Sequence, residues 1–213
     1  CDSESMGNLT RKVGVVGATL SVAYFVLWGC MPMTAMPPPV PSAGGGGGNV
    51  QFVAFDEEPK PGAWHKPTAY NWYGLGYQGW RLFEREKFDW ALIGQVGVPS
   101  LAGVGGMIRT PLVKSEKGYL GVSASVGLIW ANIGLPMSVA LGDGTWLYSR
   151  PALTGGLCCQ FNVPLGLVHE TASGRPLYHE IGLHFGKEDL GGGNNAGIPM
   201  NILYYSFGWG SSK

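Results

Sequence analysis

Long stretches of strict alternation are the feature that most limits how this chain folds. In YLGVSASVGLIW, Tyr119–Trp130, apolar side chains occupy every second position from Leu120 onward, and the positions between them are mostly glycine or serine. Leu157–Leu167 and Leu177–Phe185 show the same period. A period of two places successive side chains on opposite faces of a strand. After about residue 50 we find no helical period, so the folded region is predicted to be all-β.

Ten segments fit this pattern, although alternation alone leaves their ends uncertain by a few residues. The predicted strands are 50–56, 70–82, 88–98, 103–113, 118–131, 134–141, 145–151, 156–169, 176–186 and 199–209. Turn residues separate many of them, at 84–87, 114–118, 142–144 and 171–176. If strands 134–141 and 145–151 are counted as one strand and the first strand is omitted, eight strands remain. The prediction is therefore eight to ten strands.

Strand length separates the two kinds of fold that such strands can build. Many of the predicted strands have about ten residues or more, which suits a tilted transmembrane strand, whereas globular strands cluster near five or six. Aromatic residues concentrate near the strand ends, as in the girdles of membrane barrels. These are Tyr70, Trp72, Tyr73, Phe88, Trp90, Trp130, Trp146, Tyr148, Tyr204, Tyr205, Phe207 and Trp209. The prediction is therefore an antiparallel up-and-down transmembrane β-barrel, with a soluble sandwich or ligand-binding barrel as the alternative.

Charge excludes one class of partner. Only 13% of residues are charged and the formal net charge is +0, so no basic excess is present to neutralise nucleic-acid phosphates. Glycine, at 36 residues, and aromatic residues, at 12%, are both abundant, which suits a sheet in contact with lipid. No nucleic-acid partner and no cofactor is predicted.

The N-terminal region has the composition of a secretory leader. Arg11 and Lys12 precede an uncharged, mostly apolar stretch over 13–28. The four residues LWGC, Leu27–Cys30, resemble the lipoprotein signal of bacteria, in which Leu and two small residues precede an acylated Cys. Trp28 departs from that pattern. The resemblance implies a fatty-acid (palmitate-type) modification on Cys30; an uncleaved anchor helix or a plain signal peptide is the alternative.

This leader sets the predicted domain boundaries. Residues 1–29 form the signal peptide, with an over-extended start before Met6, and 30–49 form a tether rich in proline and glycine. Such a tether is expected to be extended or flexible and to stay out of a core. Residues 50–213 form the barrel domain.

The C-terminal residues MNILYYSFGWGSSK resemble the targeting signal of bacterial outer-membrane barrels, with Phe207 or Trp209 as the closing aromatic residue. The tail 210–213 departs from that pattern. Together with the strands, the resemblance is to small outer-membrane barrels of the OmpA/OmpX type. It implies outer-membrane lipid and the barrel-assembly machinery as partners, and a structural, adhesive or surface-interaction role through external loops 57–69 and 187–198.

If the apolar faces point to lipid, the opposite faces define the lumen. They carry Asp89, Gln95, Arg109, Ser123, Ser125, Gln160, Asn162, Glu180, His184 and Ser206. A barrel of about eight strands is filled by side chains, and buried charges need partners. We therefore predict a polar network of Asp89, Arg109, Gln160, Asn162, Glu180 and His184, with Arg109 paired to Asp89 or Glu180. The alternative places these charges near strand ends, in water.

Catalytic and metal sites are not predicted. His184, Ser206 and Glu180 share an inner face and form the one candidate set for a lipid-directed hydrolase, but their spacing matches no signature. His169 and His179 could approach across a hairpin as metal ligands, although histidines at strand ends are the commoner explanation. The remaining function hypotheses are a soluble periplasmic or surface lipoprotein that binds a small apolar ligand, and a barrel enzyme that acts on membrane lipid.

Overall fold

The structure is a computed structural model that describes residues 37–40, 45–57, 72–97, 102–127, 130–156, 158–188 and 198–211. The regular elements within these ranges are β-strands. They are β1 Gly46–Glu57, β2 Trp72–Glu84, β3 Asp89–Gly97, β4 Ala102–Ser115, β5 Gly118–Gly127, β6 Trp130–Gly134, β7 Met137–Gly142, β8 Thr145–Ser149, β9 Ala152–Gly156, β10 Cys158–Glu170, β11 Pro176–Glu188 and β12 Ile198–Gly210. In the described ranges no helix is long and apolar enough to cross a membrane.

Hydrogen bonds between strands close the sheet on itself. Each strand pairs antiparallel with its neighbours, and β12 pairs with β1 from Gly47↔Gly210 to Glu57↔Met200. The predicted all-β, antiparallel, up-and-down barrel is therefore confirmed. Because the first strand pairs with the last, no edge is left open along this seam.

Two places around the barrel are each filled by an interrupted strand. Both β6 and β7 pair with β5, and both β8 and β9 pair with β10. The interruptions fall at Leu135–Pro136 and at Arg150–Pro151, where proline lacks the N–H that a ladder needs. Counting each interrupted strand once gives ten strands, the upper end of the predicted range.

One predicted strand spans parts of two observed strands. The predicted strand 118–131 runs through a chain reversal, because β5 ends at Gly127 and β6 begins at Trp130 and pairs back onto β5. Alternation does not reveal this reversal because Ile129 and Trp130 continue the apolar run of β5 without a polar turn residue.

The two faces of the barrel are inverted relative to a soluble protein. Large apolar side chains lie on the outer face, with Val104 64% exposed and Leu153 65% exposed. Polar and charged side chains point into the lumen, with Asp89 4% exposed and Glu180 3% exposed. The remaining buried polar set includes Asn49, Gln51, Gln78, Gln95, Arg109, Ser123, Ser125, Asn132, Ser138, Arg150, Thr154, Asn162, His184 and Ser206.

The barrel has two distinct ends. Short connections join the strands at the end that also holds Gly46 and Gly210, and we call this end the short-turn mouth. The opposite end, the loop mouth, leads into 58–71, 98–101, 128–129, 157 and 189–197, which lie outside the described residues. The predicted external loops 57–69 and 187–198 fall almost entirely in that part of the chain.

Part of the predicted tether belongs to the barrel. Strand β1 begins at Gly46, so the expected boundary at residue 50 lies inside a strand. Glycine composition suggested a flexible coil, but here the missing side chains make room for aromatic rings. An added Cβ would approach the Trp80 ring to 2.8 Å at Gly47 and the Tyr77 hydroxyl to 2.6 Å at Gly48.

Candidate functional site

The lumen is the candidate site, and its first cluster joins two adjacent strands. Asp89 begins β3 and lies directly opposite Arg109 of β4 in the sheet register. The Arg109 Nε donates to Asp89 Oδ2 at 2.8 Å, and both side chains are buried. The Arg109 guanidinium also lies 5.6 Å from the centre of the Tyr119 ring. Of the two partners expected for Arg109, the structure thus supplies Asp89.

A second cluster involves Glu180 of β11. Its carboxylate forms an ion pair with Arg150 and accepts a hydrogen bond from the Tyr204 hydroxyl at 2.8 Å. The His184 ring packs 5.3 Å from the Tyr204 ring. These groups come from β11, β12 and the break between β8 and β9, so the cluster ties the two sides of β10 together through the lumen.

Arg150 was not among the predicted lumen residues. Arg150 lies in the predicted strand 145–151 and has the same parity as Trp146 and Tyr148, which are buried. That parity was the signal that could have identified it. With Arg150 included, the two ion pairs set two guanidinium groups against two carboxylates, so the pairs leave no excess charge in the lumen.

The other predicted residues are distributed as follows. Asn162 is buried and has no hydrogen-bond partner for its Oδ1 among the described groups. His184 is buried beside Tyr204. Gln160 lies in β10, but its side chain is outside the described part of the structure. Cys30, the predicted lipidation site, also lies outside the described residues.

Residues 37–40 occupy the interior of the barrel, which the sequence did not predict. Pro37, Pro38 and Pro39 are fully buried and Val40 is 2% exposed. Val40 joins a buried apolar cluster, whose other members are Trp80, Leu82, Ala91, Ile93, Met107, Trp146, Tyr148, Val168 and Tyr178. We call Pro37–Val40 the lumen strap.

A small cavity borders the strap. A cavity of about 10 Å³ lies beside Pro37, which is room for about one water molecule. Its lining includes Arg109, Asn132, Arg150 and Asn162. A cavity of this volume is too small for a small-molecule ligand and does not form an open pore.

The candidate hydrolase residues share the lumen face but do not form a catalytic set. Ser206 lies opposite Glu180 in the register, whereas His184 lies opposite Ile202. Four residues of strand separate Ser206 from His184, which is roughly 13 Å. A nucleophile must lie within hydrogen-bond reach of its base, so this pair is not positioned for catalysis.

The two candidate metal histidines bind other partners on the outer face. His169 Nδ1 lies 3.0 Å from Thr145 Oγ1, and His179 Nδ1 lies 2.6 Å from the Tyr205 hydroxyl. Across the described part of the chain, no group of three or more His, Cys, Asp or Glu side chains could hold a metal ion.

Comparisons with known proteins give matches among solved structures alone. No family model matches the chain, and no curated protein matches it. Among solved structures, the chain is similar to Ail, the attachment invasion locus protein of Yersinia pestis. The identity is 9% and the TM-score 0.32, over 78% of this chain and 97% of that one. Similarity at this level carries no information about function.

Proposed function

We propose that the protein is a β-barrel of the bacterial outer membrane, with a lipid-facing wall, a packed lumen and a structural, adhesive or surface-interaction role. The observation that carries the proposal is the inversion of the two faces. Burying Asp89, Arg109, Arg150 and Glu180 while leaving leucine, valine and isoleucine outside is unfavourable in water and favourable in a bilayer.

The apolar outer wall is continuous along neighbouring strands. In β10, the outward side chains are Phe161, Val163, Leu165 and Leu167, and in β11 they include Ile181, Leu183 and Phe185. Soluble monomers seldom expose a contiguous apolar patch larger than a few hundred Å². A wall of this kind supports contact with lipid acyl chains.

Strand length supports the same placement. The thirteen residues of β10 extend roughly 43 Å, and a tilt of about 40° leaves a height of about 33 Å. The hydrocarbon core of a bilayer is about 30 Å thick. The barrel is therefore tall enough to cross it once.

Aromatic side chains occupy the outer rim at the short-turn mouth. Phe83 and Trp90 stack with ring centres 4.0 Å apart, and Tyr77 and Trp209 lie 6.3 Å apart across β1. Rings of this type prefer the boundary between acyl chains and headgroups. They support a bilayer boundary near this end of the barrel.

Lipid anchoring through Cys30 is part of the proposal and rests on the LWGC pattern. Cys30 precedes Pro37 of the strap by seven residues, and seven residues reach at most about 25 Å. A lipid on Cys30 would thus lie within one strand length of the strap. The proposed partners are outer-membrane lipid, through the wall, and the barrel-assembly machinery, through β12.

The structure favours this role over the two alternatives. A soluble lipoprotein that binds an apolar ligand needs a cavity large enough for that ligand, whereas the cavity beside Pro37 is about 10 Å³. A lipid-modifying enzyme needs its reacting groups together and accessible, whereas His184 and Ser206 are buried and separated along the barrel. We propose that the protein is not an enzyme.

Extraction of membranes from a Gram-negative host that expresses the full chain tests the proposal. An integral barrel stays in the pellet through carbonate and urea washes, and the detergent-solubilised protein migrates faster on gels before boiling than after it. Release by carbonate would contradict membrane insertion. Mass spectrometry of lipid A with and without the gene tests the enzyme alternative, and we expect identical spectra.

A further inference from the structure

The lumen strap is held by its backbone carbonyls. Arg109 Nη1 donates to the Pro38 carbonyl at 3.1 Å and to the Pro37 carbonyl at 3.5 Å. The Ser138 hydroxyl donates to the Pro39 carbonyl at 2.6 Å. Three successive carbonyls are therefore bound by two buried side chains, from β4 and β7.

Proline suits this position for a physical reason. Each proline brings a carbonyl acceptor but no N–H donor. The three prolines therefore add no buried N–H group that would need a hydrogen-bond partner in the lumen. Proline also limits the chain to extended conformations before it binds, which lowers the entropic cost of ordering. The buried donors of Arg109 and Ser138 match the acceptors that the strap offers.

The strap runs along the barrel instead of crossing its mouth. Pro37 borders the central cavity, and Gly45 lies at the short-turn mouth, where its carbonyl accepts from the Leu82 amide at 3.0 Å. Between them, Val40 contributes to the apolar cluster. The strap therefore fills the part of the lumen between the cavity and the mouth.

We propose that Pro37–Val40 is a plug, and that the lumen wall around Arg109 and Ser138 is a binding site for an extended proline-rich backbone. Without the plug, the walls that remain combine the apolar cluster around Val40 with buried polar atoms such as Asn49 Oδ1, Gln78 Oε1, Asn162 Oδ1 and Ser206 Oγ. A ten-stranded lumen emptied of its strap is then a hydrated path for small ions. This proposal adds detail to the packed lumen of the proposed function, and it rests on that function only for the experiment that uses a bilayer.

Thiol labelling in detergent tests the plug without a membrane. Val40→Cys is introduced into the full chain with Cys1, Cys30, Cys158 and Cys159 replaced by serine. The control is Ser173→Cys in the exposed turn between β10 and β11. In folded protein we expect a soluble maleimide to react with Cys at 40 at least tenfold more slowly than with Cys at 173. Equal rates in protein that keeps its gel shift would overturn the proposal.

Ser138→Ala tests the hydrogen bond to the strap. Loss of one hydrogen bond shifts an equilibrium by roughly two- to tenfold, so we expect labelling at position 40 to accelerate by about that factor. Ser125→Ala is the matched control, since Ser125 is also buried and its hydroxyl has no hydrogen-bond partner among the described groups. An equal effect of the two substitutions would contradict a specific contact.

Conductance across planar bilayers tests the emptied lumen. Replacing Pro37–Val40 with four glycines should produce discrete current steps, whereas the wild-type chain stays closed. The peptide TAMPPPVPSA, residues 34–43, should reduce these steps, and a scrambled peptide should not. A folded, inserted glycine variant that stays silent, or equal effects of both peptides, would overturn the plug. Failure of the wild-type chain to insert would instead contradict the proposed function, and the labelling result would still decide the plug.

Discussion

The Tyr178 hydroxyl of β11 donates to the carbonyl of Gly48 in β1, two strands away, at 3.0 Å. Its ring passes over Gly208 of β12, and the same hydroxyl contacts the Trp209 carbonyl at 2.6 Å. One side chain therefore links the last two strands to the first, at the seam where the barrel closes. This contact requires glycine at position 208, because an added Cβ would overlap the Tyr178 ring.

Gly208→Ala should weaken the closed barrel. Overlap of the new methyl group with the Tyr178 ring should lower the free energy of unfolding by roughly 1–3 kcal/mol. Gly94→Ala is the control, since an added Cβ there meets nothing within 4 Å. Urea unfolding of detergent-solubilised protein, followed by circular dichroism, measures both. Equal stabilities of the two variants would contradict the role assigned to Tyr178.

Breaking the Arg150–Glu180 pair should be costly. Arg150→Met leaves a buried carboxylate without its charge partner, and we expect a loss of roughly 3–5 kcal/mol. Adding Glu180→Gln should recover part of this loss, because the unpaired charge is then gone. Lys87→Met, in the exposed turn after β2, controls for loss of one positive charge. A double variant as unstable as the sum of both single variants would contradict the coupling.

The depth of an arginine substitution along the outer wall should determine how much it lowers the stability of the barrel in lipid. Leu165→Arg places a cation in the middle of β10 and should lower stability in lipid by roughly 2–4 kcal/mol, whereas Leu112→Arg, near the end of the β4–β5 hairpin, should cost about 0–1 kcal/mol. Both side chains are exposed in the isolated chain. Equilibrium unfolding from vesicles measures the difference. Equal, small effects would indicate that water, not lipid, covers Leu165.

The mass of the mature N-terminus tests the lipoprotein proposal. We expect a diacyl or triacyl Cys30 as the first residue. Cys30→Ser should abolish incorporation of labelled palmitate while the barrel keeps its gel shift. Recovery of an intact Met6 would contradict both processing and acylation.

Alternation was sufficient to predict the fold and the facing of most strands. In Tyr119–Gly127, for example, parity separates the outward Leu120 and Val122 from the inward Ser123 and Ser125. The parity of a residue indicates whether its side chain points inward, but not which other inward side chains it contacts. The sequence therefore left Arg109 with two candidate partners, Asp89 and Glu180, and only the register of β3 on β4 places Asp89 opposite it.

Three features are not encoded in any local pattern. Arg150 lies at a proline break, the strap has the composition of a flexible tether, and the sequence between β5 and β6 lacks a polar turn residue. Arg150 and the strap are held by residues distant in sequence, Glu180 for Arg150 and Ser138 for Pro39. The composition of a segment indicates how much conformational entropy is lost when the segment becomes ordered. It does not indicate which contacts compensate for that loss.

Collision of a spin label with oxygen or with a water-soluble nickel chelate tests the central claim most directly. Nitroxides at Leu165→Cys and Leu183→Cys, in the four-serine background and in phospholipid vesicles, should collide often with oxygen and rarely with the chelate, because both side chains face outward on adjacent strands. A label at Ser173→Cys in the exposed turn should show the opposite preference. Ready collision of the chelate with the labels at 165 and 183 would contradict a lipid-facing wall.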